Sequence, residues 1–121
     1  MKKIDKTLQW KFQTIRAMLK FYSGFDLPDI KVKHCTEADR EHQKIYRNFA
    51  HMDHYPLTIC YAKALLDMPD VVQYGILAHE VGHIIQEIKE LPYDEMAADM
   101  LIKNFANINI EYIDTIQHAY F

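Results

Sequence analysis

The pentapeptide His79-Glu80-Val81-Gly82-His83 sets two imidazoles four residues apart, with a carboxylate beside the first. On a helix, residues four apart share a face, so both rings can converge on one zinc ion. Glu80 then stands next to the metal, placed to take a proton from a water held there. Projected at about 100° per residue, Leu77, Val81, Ile84, Ile85 and Ile88 form an apolar stripe, and His79 and His83 fall near the opposite side. Two core histidines satisfied by hydrogen bonds would lie within the stripe, so the projection favours a ligand pair, with two exposed surface histidines as the alternative.

Two imidazoles leave a catalytic zinc one protein ligand short. Asp94, Glu95, Asp99, Glu111, Asp114 and His118 follow in the chain. Glu95 and Asp99 are four apart, and Ala97 and Ala98 beside them would let their helix approach the histidine helix closely. The first helix runs about 9 Å past His83 before Leu91-Pro92 reverses it, and Glu95 returns over a similar path. Glu95 is the expected third ligand, with Asp94 as the alternative. Asp99, one turn deeper, is expected to accept the ring N–H of a ligand histidine.

These groups need elements to hold them. Ile4, Leu8, Phe12, Ile15, Leu19 and Tyr22 are spaced as one helix face, ended by Ser23-Gly24. Ile30 to Cys35 alternates as a short strand. Thr36 to Gln43 reads as a short helix or a loop, Lys44 to Ala50 has some strand character, and His51 to Pro56 reads as a connection. Leu57 to Tyr61 is a β-branched, apolar strand and the expected sheet edge for an added peptide strand. Ala62 to Leu66 is one helical turn, Asp70 to about Glu87 the histidine helix, and Tyr93 to about Phe105 the carboxylate helix. Residues 107–121 form a last helix or a tail. The order is α+β, with helices packed on one face of a sheet of about three strands.

Composition sets the frame. The chain has 121 residues, 50% apolar and 26% charged, which describes one domain over residues 1–121 with a core of its own. No apolar run reaches the ~20 residues of a membrane helix, and the charged start Met1-Lys2-Lys3-Ile4-Asp5 lacks a signal-peptide h-region. A cytoplasmic chain that uses no membrane is therefore expected. The net charge of −3, with no long Lys/Arg cluster, argues against a nucleic-acid partner. Cys35 and Cys60 read first as small buried hydrophobes.

The pattern of HExxH followed by Glu95-Met96-Ala97-Ala98-Asp99 resembles the gluzincin zinc peptidases, over roughly residues 55–106. The size is similar to that of the minigluzincins, and the pattern also resembles the peptidase domains of ImmA/IrrE-type proteins of phages and mobile elements. The metzincin form is excluded, because Ile84 to Glu90 hold neither the glycine nor the third histidine. The resemblance implies a small zincin-like domain with Zn2+ on His79, His83 and Glu95, Glu80 as general base and Asp99 supporting a ligand. It also implies cleavage of a peptide or protein substrate, and self-inhibition by the C-terminal segment, where Glu111, Asp114 and His118 could reach the zinc. Tyr112, His118 and Tyr120 are candidates to stabilise the oxyanion. A non-catalytic zinc-binding regulatory protein of a phage or mobile element is the alternative.

Overall fold

A computed structural model describes residues 2–45, 49–54 and 56–106. The elements are α1 (Lys2–Ser23), β1 (Lys31–His34), α2 (Thr36–Ile45), β2 (Ala50–His54), β3 (Leu57–Tyr61), a 3-10 turn (Lys63–Asp67), α3 (Asp70–Ile88) and α4 (Glu95–Ala106). Among the described residues this is a small α+β domain with a three-stranded mixed sheet. No helix among them is long and apolar enough to cross a membrane.

Periodicity explains the outer elements. Leu8, Phe12, Ile15 and Leu19 of α1 are fully buried, the i, i+4, i+7, i+11 set of one helix face. The face stops there, since Tyr22 is 52% exposed. Gly24 ends the helix at a φ of 71°, its N–H donating to Lys20 O at 3.0 Å, a left-handed cap that glycine adopts without a Cβ penalty. Lys11 is buried on the same face and donates to Gln73 Oε1 at 2.7 Å and Asp70 Oδ1 at 3.0 Å, tying α1 to the start of α3.

The sheet order is β1-β3-β2. β1 runs parallel to β3 with Val32 opposite Ile59, and β2 runs antiparallel with Met52 opposite Ile59 and His51 opposite Cys60. Several expectations are corrected here. Leu57–Tyr61 is the central strand, paired on both sides, so the edges are β1 and β2. On the β1 side Gln9 of α1 accepts from the Val32 N–H at 2.9 Å and donates to Ile30 O at 3.1 Å, which leaves β2 as the freer edge. The stretch His51 to Pro56, expected to be a connection, supplies most of that edge strand. Ala50 and Met52 alternate with His51 and Asp53 as a strand requires, and polar outward positions are tolerated on an edge. Thr36 to Ile45 is helical, so Lys44 and Ile45, expected to have strand character, end α2 instead. α2 packs through Ala38 on the Cys60 side of the sheet, so the helices do not all lie on one face. Cys35 and Cys60, expected as separate hydrophobes, are joined as a disulfide.

α3 departs most from the projected pattern. It is buried almost all round from Val72 to Gln86, including Glu80, His83 and Gln86, while Ile88 is 42% exposed. One side packs on α1 and the sheet, and α4 covers the other. His79 and His83 therefore face a second helix, His83 fully buried and His79 still 22% exposed at the rim.

Candidate metal centre

α3 ends in a sharp reversal. Leu91 N–H donates to Gln86 O at 2.8 Å and Glu90 N–H to Glu87 O at 3.2 Å, with Glu90 at a φ of 56°. This is a Schellman cap with a non-glycine residue in the left-handed position. Leu91 and Pro92 carry the chain across, and Asp94 starts α4: its Oδ1 accepts the Ala97 N–H at 2.8 Å, the bond of a helix N-cap. Asp94 is thereby committed to the helix end, and Glu95 is the residue turned toward α3.

Glu95 spans the two histidines. Its Oε2 lies 2.7 Å from His79 Nε2 and its Oε1 3.0 Å from His83 Nε2, while the two Nε2 atoms are 3.1 Å apart. The far side of each ring is held. His79 Nδ1 is 2.6 Å from Asp99 Oδ1, and His83 Nδ1 is 2.9 Å from Gln86 Oε1. Gln86 Nε2 donates to Asp94 O at 2.9 Å, which fixes the amide with its oxygen toward His83. Both Nδ1 atoms therefore act as donors, and in their neutral forms both rings present Nε2 lone pairs to the carboxylate between them. Acceptors gathered at 2.7–3.1 Å call for a proton or a cation at their centre. A donor set of two imidazoles and a carboxylate suits zinc, and the ligand atoms of His79, His83 and Glu95 all lie within 4.8 Å of one another.

Electrostatics follow from burial and from this crowding. Glu80 is 8% exposed. Burial, with Glu95 and Glu41 adding negative charge, pushes its carboxyl up to about 8 against the pull of His79. Burial works against a charged His79, but the Asp99 hydrogen bond and the charges of Glu80, Asp99 and Glu95 outweigh it and lift the ring to about 9. Burial would raise Glu95, yet the Tyr93 hydrogen bond and the charges of His79 and His83 hold it below the usual carboxylate range.

Three contributors escaped the sequence reading. Tyr93 lies flat on the His83 ring, with centroids 4.1 Å apart and planes 5° apart, and its hydroxyl donates to Glu95 Oε1 at 2.8 Å. Burial, then that bond and the charge of Glu95, raise its phenol. Gln86 had a signal, a polar residue one turn past His83 between Ile85 and Ile88. Glu41 on α2 had none, because only the tertiary fold brings its charge to bear on Glu80. Glu111, Tyr112, Asp114, His118 and Tyr120 lie outside the described residues, as does the expected covering tail. Neither a protein-family model, nor a curated protein, nor a solved structure matches the chain.

Proposed function

We propose that this chain is a zinc-dependent metallopeptidase of the gluzincin type, built on a small zincin-like domain. The observation that carries the reading is Glu95 set between His79 Nε2 and His83 Nε2, with Asp99 and Gln86 fixing the ring tautomers behind them. His79, His83 and Glu95 would hold the ion. Zinc, when bound, would lower the pKa of a water and polarise the scissile carbonyl.

The remaining work falls to the protein. Glu80 adjoins His79 on the same helix, and its raised pKa marks a group that keeps a proton readily once it has taken one. It would accept the proton of the attacking water and deliver it to the leaving amine. A cation in the site would draw Glu80 toward its ionised, proton-accepting form before the reaction. The free edge of β2 offers backbone groups to an extended peptide, and β2 packs against α3.

The test is cleavage of an unfolded protein substrate by the zinc-loaded wild type and by Glu80→Gln. The expected result is cleavage by the wild type alone, with equal zinc content in both. Equal cleavage removes Glu80 from its role. Cleavage by neither protein favours a zinc-binding regulator.

A further inference from the structure

A second group of metal-ligating side chains lies on the sheet face turned away from the core. Cys60 on β3 faces His51 across the antiparallel pair, and Asp53 follows two residues along β2. Cys35, just before α2, completes the group. The donor atoms of Cys35, Asp53 and Cys60 all lie within 4.8 Å of one another, as do those of Glu37, His51 and Asp53. Cys60 Sγ is 3.0 Å from Asp53 Oδ2, and His51 Nε2 is 3.4 Å from Asp53 Oδ1.

These surroundings are unlike those of a cystine that serves only to staple a core. Cys60 is buried beside Ala38 and Ala62, but its sulfur meets a carboxylate whose side chain is 47% exposed. A disulfide sulfur has no proton to offer that carboxylate. A thiol can donate to it, and a cation can be shared with it. Two thiols and a carboxylate, drawn from the residue before α2, from β3 and from β2, are donor classes that suit a thiophilic ion.

We propose that in the reduced chain Cys35, Cys60 and Asp53 form a second metal site for a thiophilic divalent cation such as zinc, with His51, held by Glu41 at 3.0 Å and lying 3.4 Å from Asp53 Oδ1, orienting the carboxylate, and that the Cys35–Cys60 disulfide is its closed, metal-free state. Binding releases the two thiol protons as two sulfur–metal bonds form. Closure by a small-molecule disulfide breaks those two bonds and the S–S bond of the oxidant. It forms the Cys35–Cys60 bond, returns two thiolates from the reduced oxidant and sets the cation free. The site is independent of His79, His83 and Glu95, and it stands or falls apart from the peptidase reading.

The experiment titrates Co2+ into the full-length chain after phosphine reduction under anaerobic conditions, reading sulfur-to-metal charge-transfer absorption. The host is the His79→Ala/His83→Ala variant, so that the first site is silent. The expected result is a thiolate band saturating at one Co2+ per chain, displaced by zinc and abolished by an oxidised glutathione-type disulfide. Cys35→Ser/Cys60→Ser should lose the band. Asp53→Asn keeps both sulfurs and should weaken binding roughly tenfold or more, which separates lost ligation from lost folding. Two titratable thiols with no charge-transfer band at saturating Co2+ would overturn the proposal, and so would a disulfide that resists reduction in the folded chain.

Discussion

A Cβ placed on Gly82 would lie 2.5 Å from the carbonyl oxygen of Ala98 and 2.9 Å from its carbonyl carbon. Gly82 sits between the two histidines of the motif, so the absence of a side chain there sets how near α4 can come. That approach carries Glu95, one turn before Ala98, to the imidazoles, and Asp99, next to Ala98, to His79. Gly82→Ala should cost about 1–3 kcal/mol, as overpacking does in a tight interior, and should weaken zinc binding as α4 moves away. Thermal unfolding and zinc content check both effects. Ala98→Gly should not restore the variant, because the shortest contacts are with backbone.

Glu95 and Asp94 separate under substitution. Glu95→Ala should remove most of the zinc affinity, since it deletes the group spanning both Nε2 atoms. Asp94→Ala should leave metal affinity largely intact and cost about 1 kcal/mol of stability, the usual loss for an N-cap. Chelator competition and chemical denaturation give the two readings. The opposite ranking would move the ligand to Asp94.

The readable parts of the chain were those in which local pattern and tertiary role coincide. The α1 stripe and the β1 alternation declare themselves, and HExxH with Glu95 and Asp99 at helical spacing marks the groups that the fold gathers. The unread parts depend on partners far away in the chain. The histidines do not lie on a polar face of α3, because α4 turns a nominally amphipathic helix into an interior one. The central place of β3 follows from β1 and β2 pairing on either side, which its own apolar run cannot reveal. Asp53 in β2 and Pro56 just after it mimic a turn, while alternation at Ala50 and Met52 builds a strand.

Gln86 holds His83 at Nδ1 and would not itself touch a metal, so its effect should appear in zinc affinity. Gln86→Leu removes the acceptor for His83 Nδ1 and the donor to Asp94 O. It should reduce zinc affinity by about 10–100-fold, as loss of such orienting groups does, with little change in fold. Tyr93→Phe keeps the stacked ring and loses only the bond to Glu95, so its penalty should be the smaller of the two. Isothermal titration with zinc buffers ranks them.

Stability of the zinc-free chain should fall as pH rises from about 5 to 9. Glu80 is lifted from an ordinary 4.5 to about 8, chiefly by burial, and His79 from 6.5 to about 9. In both cases the folded state holds a proton that the unfolded state releases sooner. The stability each supplies is complete below the unfolded value and is lost as pH climbs through the folded one. Glu95 and Asp39 are lowered, so their contribution is lost only as pH falls below the ordinary carboxylate range, outside this window. Zinc requires unprotonated imidazoles, so its binding strengthens across the same interval. The gap between zinc-loaded and chelated melting temperatures should therefore widen with pH. Melting curves with chelator and with zinc, from about pH 5 to 9, measure it. Glu80→Gln should flatten the chelated curve, because it removes one of the two protons in question. A chelated midpoint that climbs with pH across the interval, in the wild type, would show that Glu80 and His79 do not hold these protons in the fold.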